Sequence, residues 1–128
     1  MKENLLRDKS FAFALRTVKL NRHLVSELRE YTLSKQVLRS GTLIGANIEE
    51  SNHAQSKLDF IHKLSIAQKE AAETSYWIRL LREGQYIDRK AADSMLGDCE
   101  EIQRLLAASV KTARNNLEKE NREKRRTE

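Results

Sequence analysis

The chain contains no proline. That absence constrains its fold more than any other feature. Proline removes a backbone donor and breaks the intrahelical hydrogen-bond ladder, so a proline-free sequence rich in Leu, Ala, Glu, Lys and Arg favours long helices. Only four glycines interrupt the 128 residues, aromatics make up 5%, and no alternating Val/Ile/Thr run points to a strand. The length suits one domain with one core. The expected fold is therefore all-α, an antiparallel up-and-down four-helix bundle over residues 1–113 followed by a charged tail over 114–128 that is frayed helix or disordered.

Period and punctuation predict helices at about 10–30, 34–52, 57–83 and 89–113. Ser10 is a good N-cap for the first. Phe11, Ala14, Val18, Val25 and Leu28 form one apolar stripe of that helix, and Phe13, Thr17, Leu20 and Leu24 form another. Thr32 or Ser34 caps the second, whose seam is Val37, Gly41, Ile44 and Ile48. Gly41 and Gly45 each disfavour a helix by about 1 kcal/mol relative to alanine, and a close helix crossing is the simplest compensation. Ser56 and Asp59 resemble a capping box for the third helix. Phe60, Leu64, Ala67, Ala71, Thr74, Ile78 and Leu81 follow at steps of four and three, up to a glycine stop at Gly84. Asp88 caps the fourth, with the seam Ala92, Met95, Cys99, Ile102, Leu106, Ser109 and Ala113. Short connections imply antiparallel neighbours.

Composition narrows the class of function. A single cysteine, Cys99, cannot form an internal disulfide and points to a reducing compartment. The Phe11–Leu15 apolar stretch is too short for a signal peptide, and no run approaches a membrane span, so a cytoplasmic protein without membrane contact is expected. The formal net charge is +5, with seven basic and four acidic residues in 1–30 and six basic against four acidic in 114–128. Excess cations on the first helix and the tail favour an anionic partner, with Arg16, Lys19, Arg22 and His23, then Lys124, Arg125 and Arg126, as candidates for phosphate contacts.

Catalytic and metal-binding patterns are weak. Glu50 and His53 have the Glu-x-x-His spacing of di-iron bundles, and Glu70 and Glu73 share a helix face, but the full pattern needs a second such motif and two more glutamates. His23 and His62 have no partner at ligand spacing, Cys99 lies on an apolar seam, and no phosphate loop or nucleophile motif occurs. Neither a catalytic site nor a cofactor is expected. Helices two and three instead carry a polar set, Arg39, Asn47, Glu49, Glu70, Glu73 and Trp77, beside small seam residues. Such helices can approach closely, with Arg39 pairing to Glu70 or Glu73 to fix register or assembly, or with these charges remaining independent. Trp77 or Tyr76 either anchors an interface or packs at the bundle end.

Several blocks carry a resemblance: Lys9-Ser10-Phe11-Ala12-Phe13, Gln36-Val37-Leu38-Arg39-Ser40-Gly41, Ile44-Gly45-Ala46-Asn47-Ile48-Glu49-Glu50, Asp59-Phe60-Ile61, and Ala67 through Trp77. In that order they resemble the bacterial four-helix bundle proteins encoded within 23S ribosomal RNA intervening sequences, from about Lys9 to Ala113. The resemblance implies a homopentamer without catalytic activity, and ribosomal or intervening-sequence RNA as ligand. It also links the chain to accessory proteins of diversity-generating retroelements, which bind nucleic acid and a reverse transcriptase. The basic tail lies outside the matching blocks. Two readings follow: an oligomer that binds structured RNA, and a scaffold or accessory factor that binds another protein.

Overall fold

The structure, a computed structural model, describes the backbone of residues 2–127 and the side chains of residues 5–127. Four helices account for nearly all of it: α1 (Lys2–Ser26), α2 (Leu33–Ser51), α3 (Lys57–Glu83) and α4 (Arg89–Thr127). Each packs against two others, α1 and α3 on both α2 and α4, and the α1–α4 seam is the thinnest. Phe13, Leu24, Ile44, Leu64, Ile78, Leu81, Ile102 and Leu106 fill the centre at 1% exposure or less. Burial of side chains this size contributes roughly 1.5–3 kcal/mol each. Among the described residues no helix is long and apolar enough to cross a membrane.

The first helix starts well before Ser10. Leu6, Ser10, Phe13, Thr17, Leu20 and Leu24 are all buried, and their steps of four and three form one heptad-like seam. Ser10 is a small member of that seam rather than a cap, and its hydroxyl donates to the Arg7 carbonyl at 3.0 Å. Of the two stripes, only that of Phe13 faces the core squarely. Phe11 is 72% exposed and Leu28 is exposed as well.

The α1–α2 break comes earlier than expected, and neither Thr32 nor Ser34 caps α2 through its side chain. Arg29 adopts a left-handed φ of 52°, and the Glu30 N–H reaches back to the Leu24 carbonyl at 2.9 Å. The Glu30 carboxylate then takes the cap role, accepting the Ser34 N–H at 2.7 Å and the Thr32 N–H at 3.2 Å. Its pKa is lowered: burial pushes it up, but the backbone N–H groups of Ser34, Leu33 and Thr32 outweigh that effect.

Ser56 caps α3 as its sequence suggests, its Oγ accepting the Asp59 N–H at 3.0 Å. The Asp59 carboxylate reaches the Gln55 N–H at 3.3 Å, one residue short of a reciprocal box. The α3 seam matches except at its start, where Ile61 is buried and Phe60 only partly so. At the other end the left-handed residue is Gln85 (φ 65°), while Gly84 keeps a right-handed φ of −78°. The Tyr86 N–H bonds the Leu81 carbonyl and the Gln85 N–H the Arg82 carbonyl, at 2.9 and 3.1 Å. These two bonds form a Schellman stop with glutamine in the glycine place.

Asp88 caps α4 through Oδ1, which accepts the Ala91 N–H at 2.7 Å. The buried seam follows the sequence to Leu106 and then moves to Val110, with Ala113 and Leu117 partly buried against the core. Helix α4 does not end near Ala113 but runs to Thr127. Two contacts explain the extension. Leu117 continues the seam, and Lys57 at the start of α3 forms an ion pair with Glu120.

Candidate nucleic-acid interface

Sequence-predicted cations fall into two separated groups. Arg16 points across the thin seam at α4, donating from Nη1 to Asp98 at 2.7 Å and to Ser94 at 3.2 Å. Lys9, two turns earlier, forms an ion pair with Glu101. Arg16, Lys19 and His23 line one shallow depression with Leu20, Tyr86, Ile87 and Asp88, of about 380 Å³. The exposed Arg22 does not line it. Lys124, Arg125 and Arg126 occupy the last turn of α4 and are exposed. At 1.5 Å per residue, Asp98 and Lys124 are about 40 Å apart along the helix. The fold therefore does not gather these cations into one site, and Arg16 already has a carboxylate partner.

The polar set of α2 and α3 is also divided. Glu49 turns away from α3 and accepts the Arg7 Nε of α1 at 2.6 Å. Asn47 is buried and donates to the Leu43 carbonyl of its own helix at 2.8 Å. Arg39, Glu70, Glu73 and Trp77 do share a neighbourhood. The Trp77 indole donates from Nε1 to Glu73 Oε1 at 3.2 Å, and its ring meets Tyr76 edge-on at 5.1 Å. The expected Arg39 ion pair does not form among the described residues; Arg39 stays exposed and reaches Glu70 only through space. Glu70 is left with Oε2 buried and without a hydrogen-bond donor. Burial raises its pKa, repulsion from Glu73 adds to the rise, Arg39 opposes it, and a proton shared with Glu73 raises it again.

Beside this cluster lies a buried hydroxyl pair, a polar contact between these two close helices. Thr74 Oγ1 and Ser40 Oγ, both fully buried, are 2.8 Å apart across the α2–α3 interface. The sequence does not disclose the partners of Arg16, because a contact across so many residues leaves no local trace. Among the described residues no three His, Cys, Asp or Glu side chains converge as a metal site would require. Glu50 and His53 are exposed at the end of α2, with Lys63 3.9 Å from Glu50. Cys99 is buried, donating to the Ala71 carbonyl at 3.3 Å, and burial pushes its thiol pKa up.

No curated protein matches. A crystal structure of a protein of unknown function from the S23 ribosomal protein family of Bacteroides thetaiotaomicron is 52% identical. It superimposes with a TM-score of 0.86 over 87% of this chain and 99% of that one. The profile of the 23S rRNA-intervening sequence protein family matches residues 2–108, and the chain belongs to that family.

Proposed function

We propose that the chain is a non-catalytic cytoplasmic protein that assembles as a homo-oligomer, a pentamer, and binds structured RNA, ribosomal or intervening-sequence, through basic surfaces. Membership of a family described by its link to 23S rRNA carries the reading. The charge pattern supports it, with Lys124, Arg125 and Arg126 exposed at the end of α4. The bundle is read as antiparallel and up-and-down. Arg7 early in α1 meets Glu49 late in α2, while Asn21 late in α1 meets the Ser34 carbonyl early in α2.

A titration of a fluorescent RNA hairpin at about 50 mM salt, repeated at about 200 mM, tests the reading. Binding that weakens steeply with salt supports it, and no binding at the lower salt rejects it. Light scattering on the same sample reports the assembly, and a monomer rejects the pentamer.

The second reading, a protein scaffold or accessory factor for an enzyme such as a reverse transcriptase, has one observation in its favour. Phe11 stands 72% exposed beside a groove of about 210 Å³ lined by Ala14, Gly45 and Ala46. That reading predicts a protein partner retained at high salt and no general affinity for RNA.

A further inference from the structure

We infer that the RNA-binding surface is the outward face of α4, a row formed by Arg104, Lys111, Arg122 and Arg126 with Arg125 beside it, and that its ligand is the sugar-phosphate backbone of duplex RNA. The inference rests on the RNA reading above and adds the surface and the form of the RNA.

The row follows from helix geometry. At 100° per residue, Arg104, Lys111, Arg122 and Arg126 fall within about 60° of one another, roughly 140° from the buried seam of Leu106, Val110 and Leu117. Arg125 and Arg114 flank one side of the row and Lys119 the other. All seven cations are exposed. The extension of α4 makes the row continuous: from Arg104 to Arg126 it spans about 33 Å, which a helix ending near Ala113 would not present.

Charge pairing separates this face from α1. The cations of Arg7, Lys9 and Arg16 on α1 each hold a carboxylate. Among the described residues, none of the row's cations forms an ion pair, although Glu118 lies within the row. Residues 104–126 carry eight cations against three carboxylates, and one of those, Glu120, is engaged by Lys57. Among the described residues Lys19 and Arg22 form no ion pair either, but they are two charges within one turn rather than a row.

The form of the RNA follows from what the face lacks. Helix α4 contains no Phe, Tyr or Trp, and proteins that hold single strands stack bases on aromatic rings. A straight row of flexible cations instead suits phosphates fixed along a rigid duplex. Asn115, exposed near the centre of the row, offers an amide donor and acceptor for a 2′-hydroxyl in the open minor groove of duplex RNA.

The test compares a mixed-sequence RNA duplex of about 20 base pairs with a single strand of one of its sequences, by anisotropy at several salt concentrations. Five phosphate contacts predict a log–log salt slope near −4 to −5, using about −0.9 per contact as for duplex DNA. The variant Arg104→Ala/Lys111→Ala/Arg122→Ala/Arg126→Ala, with helix content and assembly checked, should lose about 100-fold in affinity at low salt, with a slope near −1. A companion with Lys at the three arginine positions should keep the wild-type slope. Preference for the single strand, an unaffected alanine variant, or loss on Lys19→Ala/Arg22→Ala with the alanine variant intact would each overturn the inference while leaving the RNA reading standing. Wild-type protein that binds neither form ends both.

Discussion

Gly41 of α2 and Thr17 of α1 meet so closely that a methyl group on Gly41 would lie 2.4 Å from Thr17 Cγ2. Both residues are buried, so neither has room to retreat. Gly45, one turn on, differs. Its methyl would meet the Ser10 carbonyl oxygen at 3.4 Å, an ordinary contact.

The two glycines should therefore respond oppositely to alanine. Overpacking costs about 1–3 kcal/mol, against a helix-propensity gain of about 1 kcal/mol. Gly41→Ala is expected to destabilise by about 1–2 kcal/mol in urea unfolding. Gly45→Ala should be neutral or stabilise by up to about 1 kcal/mol. Equal stability for both would mean that α1 and α2 do not cross on Gly41.

Gln85 offers a stabilising change. A non-glycine residue in the left-handed region carries a penalty of about 1–2 kcal/mol, which glycine avoids at the expense of a freer unfolded chain. Gln85→Gly should raise stability by about 0.5–1 kcal/mol, visible as a higher melting temperature. A lower one would show that the glutamine side chain supports the α3–α4 turn in some other way.

These sites also show what the sequence can disclose. The α3 seam from Leu64 to Leu81 was legible because its apolar steps run without a fault, and Ser56 and Asp88 because capping is a local act. Ser10 misled because a small polar residue is equally at home as a cap and in a tight seam; only Leu6, on the same stripe, distinguishes the two. Gly84 misled because either of two adjacent residues could take the left-handed turn. Arg16 read as a free cation because its partner Asp98 lies on another helix. The length of α4 was hidden for a similar reason, since Leu117 packs against the core and Glu120 pairs with Lys57 of α3.

Glu30 links the α1–α2 turn to pH. Its folded pKa lies below the ordinary value of 4.5, so its stabilising contribution is present above that value and is lost as pH falls through the folded pKa. Glu30→Ala removes the N–H acceptor of α2 and should cost about 0.5–2 kcal/mol at neutral pH. The deficit should shrink in acid, where the wild-type carboxylate is protonated as well. A deficit that is the same at pH 3 and pH 7 would assign it to packing rather than to the cap.

Glu70 has the opposite sign. Burial, then Glu73, raise its folded pKa above 4.5, and Arg39 only partly offsets them. The folded state therefore binds the proton more tightly than the unfolded chain does, and this carboxyl lowers stability as pH rises from 4.5 through its folded pKa. Glu70→Gln stays neutral and can donate to Glu73, so it should melt above the wild type at pH 7 and level with it at pH 4. Arg39→Ala removes the opposing positive charge and raises the pKa of Glu70 further. In that background the gain from Glu70→Gln at pH 7 should be larger than in the wild type. Melting curves for the wild type, the two single variants and the double variant at both pH values test this. A Glu70→Gln advantage that does not grow with pH would mean that the buried Oε2 finds a donor in solution, and that the Glu70–Glu73 pair of α3 is not under electrostatic tension.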